Sequence, residues 1–184
     1  MESKSSFYSE EELKDIGFKS YGSNLKISRF ARFYSPQNIS IGNNVRIDDF
    51  CILSGNITIG SNIHISAYVA LYGAEGIVFE DFTGISSRST IYSAMDDFSG
   101  NFLIGPIHPD ECTHVTGGKV TIKSYAQIGA NTLVFPNLII GEGCVVGACS
   151  MVRKDLEPWG IYYGIPVQRV KDRGNKLLSY INSK

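Results

Sequence analysis

Residues 41–77 read IGNNVRIDDFCILSGNITIGSNIHISAYVALYGAEGI, and this stretch decides the fold. An aliphatic residue returns at every sixth position, namely Ile41, Ile47, Leu53, Ile59, Ile65, Leu71 and Ile77. A second run keeps the same spacing at Ile122, Ile128, Val134, Ile140, Val146 and Val152. Self-similarity at a constant period is typical of chains that stack one small structural unit many times.

A period of six residues does not match an α-helix, which repeats about every 3.6 residues, but it matches short strands joined by tight bends, three to each coil. Gly42, Asn43 and Asn44 follow one of the aliphatic positions, and Gly and Asn tolerate the positive φ angles that tight bends require. We therefore predict an all-β fold, a parallel β-helix with the cross-section of a triangular prism.

The regions outside the repeat predict two caps and one loop. Ser9 and Glu12 form a capping box at the start of a short helix that should end near Gly17. The repeat is lost between 93 and 119, which predicts an excursion loop, a common place for function. The tail carries apolar residues at helical spacing. We predict one domain, 1–184, with an N-terminal helical cap at 1–23, a β-helix at 24–158 with the excursion loop at 93–119, and a C-terminal turn and helix at 159–184.

Composition excludes several classes of function. The chain has 17 basic and 18 acidic residues, a net charge of -1, and lacks the basic excess that nucleic-acid binding requires. The N-terminus MESKSSFYSEEEL has no apolar core of a signal peptide, and no apolar run of about eighteen residues occurs. We therefore expect a cytoplasmic protein without a membrane span. The spacing of Cys51, Cys112, Cys144 and Cys149 favours reduced thiols over disulfides or a metal framework.

The segment GACSMVRKDLEPWGIYYGIPVQRV at 147–170, with the repeat and the loop, resembles the hexapeptide-repeat acyltransferases, notably the sugar O- and N-acetyltransferases of bacterial polysaccharide biosynthesis. The resemblance covers roughly 24–173. Its most specific part is the order VGACSMVRKD at 146–155, then Pro158, then YGIP at 163–166. It implies a left-handed β-helix, a homotrimer, no metal cofactor, and acetyl-CoA as acyl donor in a groove between two prisms.

The resemblance also implies the residues of the donor site. Ala130 and Ala148 match small residues whose backbone groups meet the pantetheine arm. Lys154 matches a basic residue near the CoA phosphates. Ile165 and Pro166 match the turn against which the adenine packs.

Acyl transfer needs a base near the acceptor, and histidine is suited to that task at neutral pH. His64 lies between Ile63 and Ile65, which should both face the core, so its own side chain should point out of the prism. His108 and His114 lie in the excursion loop. All three histidines stay candidates for the base.

Related acetyltransferases carry the catalytic histidine directly after a stretch that here reads TIYSAM at 90–95, but this chain has Asp96 and Asp97 at that place. We therefore predict His64 as the base. A carboxylate of Asp96 or Asp97 would orient His64 or bind the hydroxyls of the acceptor.

Tyr72, Arg88 and Tyr92 are predicted to lie on the acceptor side, because aromatic residues and Arg commonly contact sugars and phosphates. The resemblance implies that the acceptor is a sugar or nucleotide-sugar, whose hydroxyl or amine attacks the thioester carbonyl without a covalent acyl-enzyme. The residues do not distinguish O- from N-acetylation. They also leave open which backbone N–H stabilises the oxyanion.

Two alternatives use the same prism. A zinc lyase of the γ-carbonic-anhydrase type would need three histidines converging on one metal ion across a subunit boundary. A structural, non-catalytic β-helix would need neither the loop nor the terminal signature.

Overall fold

The computed structural model describes residues 5–181, which form a parallel β-helix with a short α-helix near each end. Successive strands lie on three faces, here called A, B and C, and the chain passes repeatedly from C to A to B. The predicted all-β parallel β-helix is confirmed. The ends of the predicted caps, 1–4 and 182–184, lie outside the described residues.

The strands of each face stack in parallel. Face A contains β2 (Lys26–Ile27), β5 (Val45–Ile47), β7 (Ile63–Ile65), β9 (Gly84–Ile85), β14 (Gln127–Ile128), β17 (Val145–Val146) and β19 (Gly160–Gly164). Face B contains β3 (Arg32–Tyr34), the first parts of β6 (Ile52–Ile59) and β8 (Ala70–Phe79), β10 (Thr90–Tyr92), β15 (Leu133–Val134) and β18 (Met151–Val152). Face C contains β1 (Ser20–Tyr21), β4 (Ile39–Ile41), the second parts of β6 and β8, β13 (Val120–Ile122) and β16 (Leu138–Ile140).

The remaining elements lie at the ends and in the loop. They are α1 (Glu10–Ile16), β11 (Ala94–Asp96), β12 (Val115–Gly117), β20 (Val167–Asp172) and α2 (Leu177–Ile181), with single 3-10 turns at Pro36–Asn38 and Asp110–Cys112. No helix in the described part of the chain is long and apolar enough to cross a membrane.

The aliphatic residues of the repeat form the core. On face A, Ile47 pairs in register with Ile65 and Ile65 with Ile85, and all three side chains are buried. Burial of each such side chain contributes about 1.5–3 kcal/mol, so the stabilisation grows coil by coil. The six-residue period therefore acts by aligning equivalent side chains in neighbouring coils.

The corners use both expected and unexpected residues. Asn44 and Asn62 turn the corner between faces C and A with φ angles of 54° and 61°. The corner between faces A and B places Phe50 and Tyr68 in the same left-handed region, with φ angles of 60° and 63°. Their rings stack with centroids 5.0 Å apart, which offsets part of the strain of a positive φ in a bulky residue.

The N-terminal cap follows the sequence pattern. The Ser9 hydroxyl accepts a hydrogen bond from the Glu12 backbone N–H at 3.3 Å, and the Ser9 N–H donates to the Glu12 carboxylate at 2.8 Å. Helix α1 ends at Gly17, whose φ of 82° is left-handed. The carboxylate of Glu12 also pairs with Arg29, which ties the helix to the first coils.

The C-terminal end is closed by a strand, where the sequence pattern had favoured a helix. Strand β20 pairs antiparallel with β19, while α2 is short and has no buried residue. Antiparallel pairing covers the open edge of the stack with backbone hydrogen bonds, which a helix of this length cannot supply. Arg173 fastens this end by donating to the carbonyl oxygens of Tyr125 and Gly143 at 2.7 and 3.0 Å. The strand layers thus extend beyond 24–158 on both sides, through β1 and β19.

Candidate active site

His64 lies in the middle of β7 and points away from the core, because Ile63 and Ile65 on either side are buried. Its Nε2 atom is 2.7 Å from Oδ2 of Asp48, in the coil below. The other oxygen of the same carboxylate, Oδ1, accepts a hydrogen bond from Nε of Arg46 at 2.6 Å. One carboxylate therefore holds two cationic or potentially cationic groups on the outside of face A.

This arrangement sets the pKa of the Asp48 carboxyl. Partial burial pushes its pKa up, but the hydrogen bonds and charges of His64 and Arg46 outweigh burial and lower the pKa below its usual range. Asp48 is therefore ionised at neutral pH. Sequence reasoning missed Asp48. The only available signal was the repeat itself, which places Arg46 and His64 side by side in neighbouring coils.

The two aspartates after the repeat lie at the base of the excursion loop. Strand β11, which ends at Asp96, pairs antiparallel with β12 and carries the chain out of the corner between faces B and C. Asp96 lines a cleft of about 400 Å³ together with Gly105, His108 and Asp110. The loop thus places one of the predicted carboxylates in the same cleft as a histidine, but that histidine is His108.

Asp97 makes local contacts in the same loop. Its Oδ1 accepts a hydrogen bond from the Ser99 backbone N–H at 2.6 Å, and its own N–H donates to the carbonyl oxygen of His114. The hydrogen bonds from Ser99 lower the pKa of the Asp97 carboxyl. The His114 ring packs on Phe102, with centroids 4.9 Å apart.

His64 is not brought to Asp96 or Asp97 within one chain. His64 is on face A, whereas both aspartates leave from the opposite edge of face B, and the carboxylate that contacts His64 belongs to Asp48. The expectation that a loop carboxylate orients His64 is therefore not met inside a single subunit. The reason is geometric, because three strands of one coil lie on three different faces.

The predicted acceptor residues occupy both edges of face B. The rings of Tyr72 and Tyr92 stack almost parallel, with centroids 5.1 Å apart, in neighbouring coils next to the base of the loop. Arg88 lies at the corner between faces A and B, and its guanidinium carbon is 5.5 Å from the centroid of the Tyr68 ring. Tyr72 and Tyr92 therefore form one surface with the loop, and Arg88 lies across the face from them.

Four of the five predicted donor residues come together at the corner between faces A and B. The carbonyl oxygen of Ala130 accepts the N–H of Cys149 at 2.8 Å, so Ala130 and Ala148 belong to adjacent coils at the same corner. The turn at Ile165 and Pro166 follows Gly164, whose N–H donates to the Ser150 hydroxyl of this corner. Ile165 is largely exposed, so the turn offers an apolar surface there.

Lys154 is separate from the other donor residues. It follows β18 and lies at the corner between faces B and C, one strand away from Ala148. Beside it, Arg153 lies over the ring of Phe135 at 5.2 Å. The described residues contain no group of three or more His, Cys, Asp and Glu side chains arranged to hold a metal ion. The three histidines therefore do not meet at one point within the described part of a single chain.

Comparison with known proteins now defines the class. The chain is 43% identical over 175 residues to a dTDP-4-amino-4,6-dideoxy-D-glucose acyltransferase from Escherichia coli, covering 94% of this chain and 91% of that protein. It therefore belongs to the acyltransferases built on the left-handed hexapeptide β-helix. The predicted family, handedness and enzyme class, an acyl-CoA-dependent sugar acyltransferase, are confirmed at the level of that family. No family model matches the chain.

Several solved structures are similar to this chain. AntD, an N-acyltransferase from Bacillus cereus solved with dTDP and 3-hydroxybutyryl-CoA, is 56% identical and superimposes with a TM-score of 0.94 over 97% of this chain and 95% of that chain. An AntD variant was solved with dTDP-4-amino-4,6-dideoxyglucose and coenzyme A. A maltose O-acetyltransferase from Clostridium difficile is 23% identical with a TM-score of 0.57, a likeness of fold alone.

Proposed function

We propose that this protein transfers an acyl group from a CoA thioester to the 4-amino group of dTDP-4-amino-4,6-dideoxyglucose or a closely similar nucleotide-linked amino sugar. The observation that carries the proposal is the identity of more than half of the residues with AntD over nearly the whole of both chains. The E. coli relative, whose name specifies the same amino sugar, supports it independently. Acyl-CoA and nucleotide sugars are cytoplasmic compounds, and we propose that the enzyme acts there.

The reaction is a direct displacement. The lone pair of the sugar amine attacks the thioester carbonyl carbon, the carbon–sulfur bond breaks, and CoA leaves as the thiolate while the amine loses one proton. A base that accepts this proton makes the attack and the departure of the thiolate easier. The acyl group of the donor is proposed to be acetyl or a larger group, because AntD was solved with 3-hydroxybutyryl-CoA.

The acceptor is proposed to lie between the corner of faces A and B and the base of an excursion loop. AntD variants were solved in which a serine, or an aspartate ten positions later, is replaced. Three pairs in this chain have that spacing; Ser5 with Asp15 lies at the N-terminal cap, and the other two, Ser86 with Asp96 and Ser87 with Asp97, lie between the corner of faces A and B and the excursion loop. The carbonyl oxygen of Ser87 accepts the N–H of Asn131, so these serines lie one coil below Ala130, where the proposed pantetheine groove ends.

His64 is proposed as the base. His64 pairs in register with Gly84, which lies in the same coil as Ser86, so the ring is one coil below the proposed reaction centre. Its partner Asp48 supplies the orientation that the loop carboxylates do not supply within one chain. His108 is the second candidate, because it lines one cleft with Asp96.

We propose that the enzyme is a homotrimer whose donor groove lies between copies. Phe30, Phe50 and Tyr68 form a column of rings at the corner between faces A and B, and each is about half exposed in the single chain. Burying such a column between copies would remove apolar surface from water. Phe50→Glu should shift the mass measured by analytical ultracentrifugation from trimer to monomer, and an unchanged mass would refute this interface.

The proposed activity is tested by acyl-CoA consumption with two matched acceptors. The first is dTDP-4-amino-4,6-dideoxyglucose, and the second is the same nucleotide sugar with a hydroxyl group at carbon 4. We expect turnover with the amine, with an amide product of the corresponding mass, and none with the hydroxyl. Turnover with the hydroxyl alone would refute N-acyl transfer, and absence of turnover with both over a panel of acyl-CoA donors would refute the proposed acceptor.

A further inference from the structure

We infer that a slot on face B, between the side chains of Tyr34 and Tyr72 with Ser54 as its floor, holds the pyrimidine base of the nucleotide-linked acceptor. For the identity of the ligand this inference rests on the proposed function. It adds the part of the site that recognises the nucleotide, and it includes Arg32 as the residue that contacts the phosphates.

The slot is a gap in a column of outward-facing side chains at the edge of face B. Four successive coils place equivalent residues in this column, namely Tyr34, Ser54, Tyr72 and Tyr92. The rings of Tyr72 and Tyr92, one coil apart, stack with an interplanar angle of 11° and centroids 5.1 Å apart. The column therefore contains three aromatic side chains and, at the second of its four positions, a serine.

The gap has the width of one aromatic ring. Neighbouring strands lie about 4.8 Å apart, so the backbones of Tyr34 and Tyr72, which are two coils apart, are separated by about 9.6 Å. A planar ring midway between them would lie about 4.8 Å from each, within the range of about 4.5–7 Å for stacked aromatic pairs. Nucleobases stack on aromatic side chains in the same way. A base in the slot would therefore continue the stack of Tyr72 and Tyr92 by one ring.

The slot is accessible from solvent. Tyr34 is 58% exposed and Tyr72 is 37% exposed. The residues that follow Ser54 and Tyr72 are Gly55 and Gly73, and a Cβ atom on Gly55 would lie 2.7 Å from the carbonyl oxygen of Gly73. These two positions therefore add no side chain that could cover the slot. The Ser54 hydroxyl can donate to or accept from the edge of a base that enters.

A positive charge lies beside the slot. Arg32 and Tyr34 are both exposed in β3 and Phe33 between them is half-buried, so the two outer side chains point to the same side of the strand. Within residues 5–181, Arg32 forms no ion pair. Its planar guanidinium group is well suited to bind phosphate. The slot and Arg32 together match the two parts of a nucleoside diphosphate, which are a flat base and an anionic tail.

The slot lies on the side of the proposed acceptor site. Ser93, at the start of the excursion loop, donates its N–H and its hydroxyl to the carbonyl oxygen of Tyr72, at 2.9 and 3.1 Å. The loop that carries Asp96 therefore begins directly beside the stacked rings. A nucleotide sugar whose base occupies the slot can extend along face B toward Asp96, where the amino sugar is proposed to react.

The first test measures the binding of dTDP alone to the full-length enzyme by calorimetry. Tyr34→Ala removes one wall of the slot and should raise the Kd for dTDP about 5- to 150-fold, the usual loss when a stacking side chain is truncated. Tyr34→Phe keeps the ring and should bind dTDP within about twofold of wild type. Tyr180→Ala is the matched control, because Tyr180 is 64% exposed but lies in α2, and it should bind dTDP normally.

A second variant fills the slot. Ser54→Tyr places a protein ring where the base is proposed to lie, and it should abolish measurable dTDP binding. Thermal unfolding should occur at the wild-type temperature or above it, because the new ring can stack on Tyr34 and Tyr72. The Kd for CoA should stay within about twofold in every variant.

The outcomes distinguish failure of the slot from failure of the proposed function. If the wild type acylates the amino sugar while Tyr34→Ala and Ser54→Tyr bind dTDP normally, the slot is wrong and the proposed function stands. If these variants lose dTDP but the wild type acylates no nucleotide-linked amino sugar, the proposed function is wrong and the slot stands. A raised Kd for CoA with an unchanged Kd for dTDP would place the adenine of CoA in the slot and overturn this inference. Should Ser54→Tyr unfold, Tyr34→Ala and Tyr34→Phe decide.

Discussion

Face A around His64 and the excursion loop around Asp96 each place a histidine near a carboxylate, but they do so by different means. On face A the pair comes from the register of parallel strands, which repeats from coil to coil and leaves each outward side chain beside its equivalents. In the loop the pair comes from irregular turns around a short antiparallel ladder. The first arrangement is rigid because the core beneath it is buried, whereas the second can vary without disturbing the stack.

The surfaces of the two regions differ as well. The loop exposes large apolar side chains, with Phe98 66% and Ile107 86% exposed, whereas the outward residues of lower face A are charged or polar. The loop therefore presents apolar surface of the kind that binding sites use, whereas this part of face A does not.

The largest effect is expected from removing the base. His64→Ala should lower kcat by about 10²- to 10⁴-fold, the usual contribution of a general base, while CoA affinity and thermal stability stay close to wild type. His108→Ala is the matched variant in the loop and should lower kcat much less. Steady-state kinetics of both variants decides between the two regions, and the opposite ranking would move the base to the loop.

The next largest effect is expected on CoA affinity, from a substitution in the proposed donor groove. Ala148→Trp places a large ring where the proposed pantetheine arm passes, and it should raise the Kd for CoA at least about tenfold by calorimetry, since a filled groove cannot bury the ligand. Glu142→Trp, at an exposed corner of the same coil, is the control and should bind CoA normally. Undiminished CoA binding by Ala148→Trp would place the groove elsewhere.

A smaller effect is expected at the acceptor. Asp96→Asn removes a charge that can accept a hydrogen bond from the sugar amine, and such bonds are worth about 1.5–3 kcal/mol. The KM for the amino sugar should therefore rise about tenfold or more, with the Kd for CoA unchanged. Glu111→Gln, an exposed neighbour in the loop, should leave both constants unchanged. A normal KM in Asp96→Asn would exclude the loop cleft from the acceptor site.

The smallest effect is expected on thermal stability, from the ion pair of the N-terminal cap. The hydrogen bond from Arg29, followed by that from the Ser9 backbone, lowers the pKa of Glu12 from 4.5 to about 2. Because the pKa is lower in the folded state, the stabilisation is complete above the unfolded value and is lost as pH falls from about 4.5 to about 2. Thermal unfolding of wild type and Glu12→Gln should therefore differ at pH 7 and converge near pH 2. A difference that does not depend on pH would contradict this role of the carboxylate.

Several features of the site could be predicted from sequence because they follow from periodicity. The outward direction of His64 follows from the buried Ile63 and Ile65, and the positions of Ala130 and Ala148 at one corner follow from their separation by one coil. The repeat also places Arg46 beside His64 in the next coil, but it does not specify that the Asp48 side chain turns toward the His64 ring. The cleft in the excursion loop could not be predicted either, because the loop lacks the repeat and its residues therefore cannot be assigned to a face or a coil.

The sequence by itself determined the β-helix, its capping box and its family, because aliphatic residues repeated every six positions can be buried together on stacked coils and the terminal signature is specific. The tertiary structure alone decided which polar groups meet. It paired His64 with Asp48, separated Lys154 from the alanine corner, and closed the C-terminal end with β20. The physical reason is that burial depends on local spacing, whereas contacts between outward side chains depend on the coil above, the coil below and the face on which each strand lies.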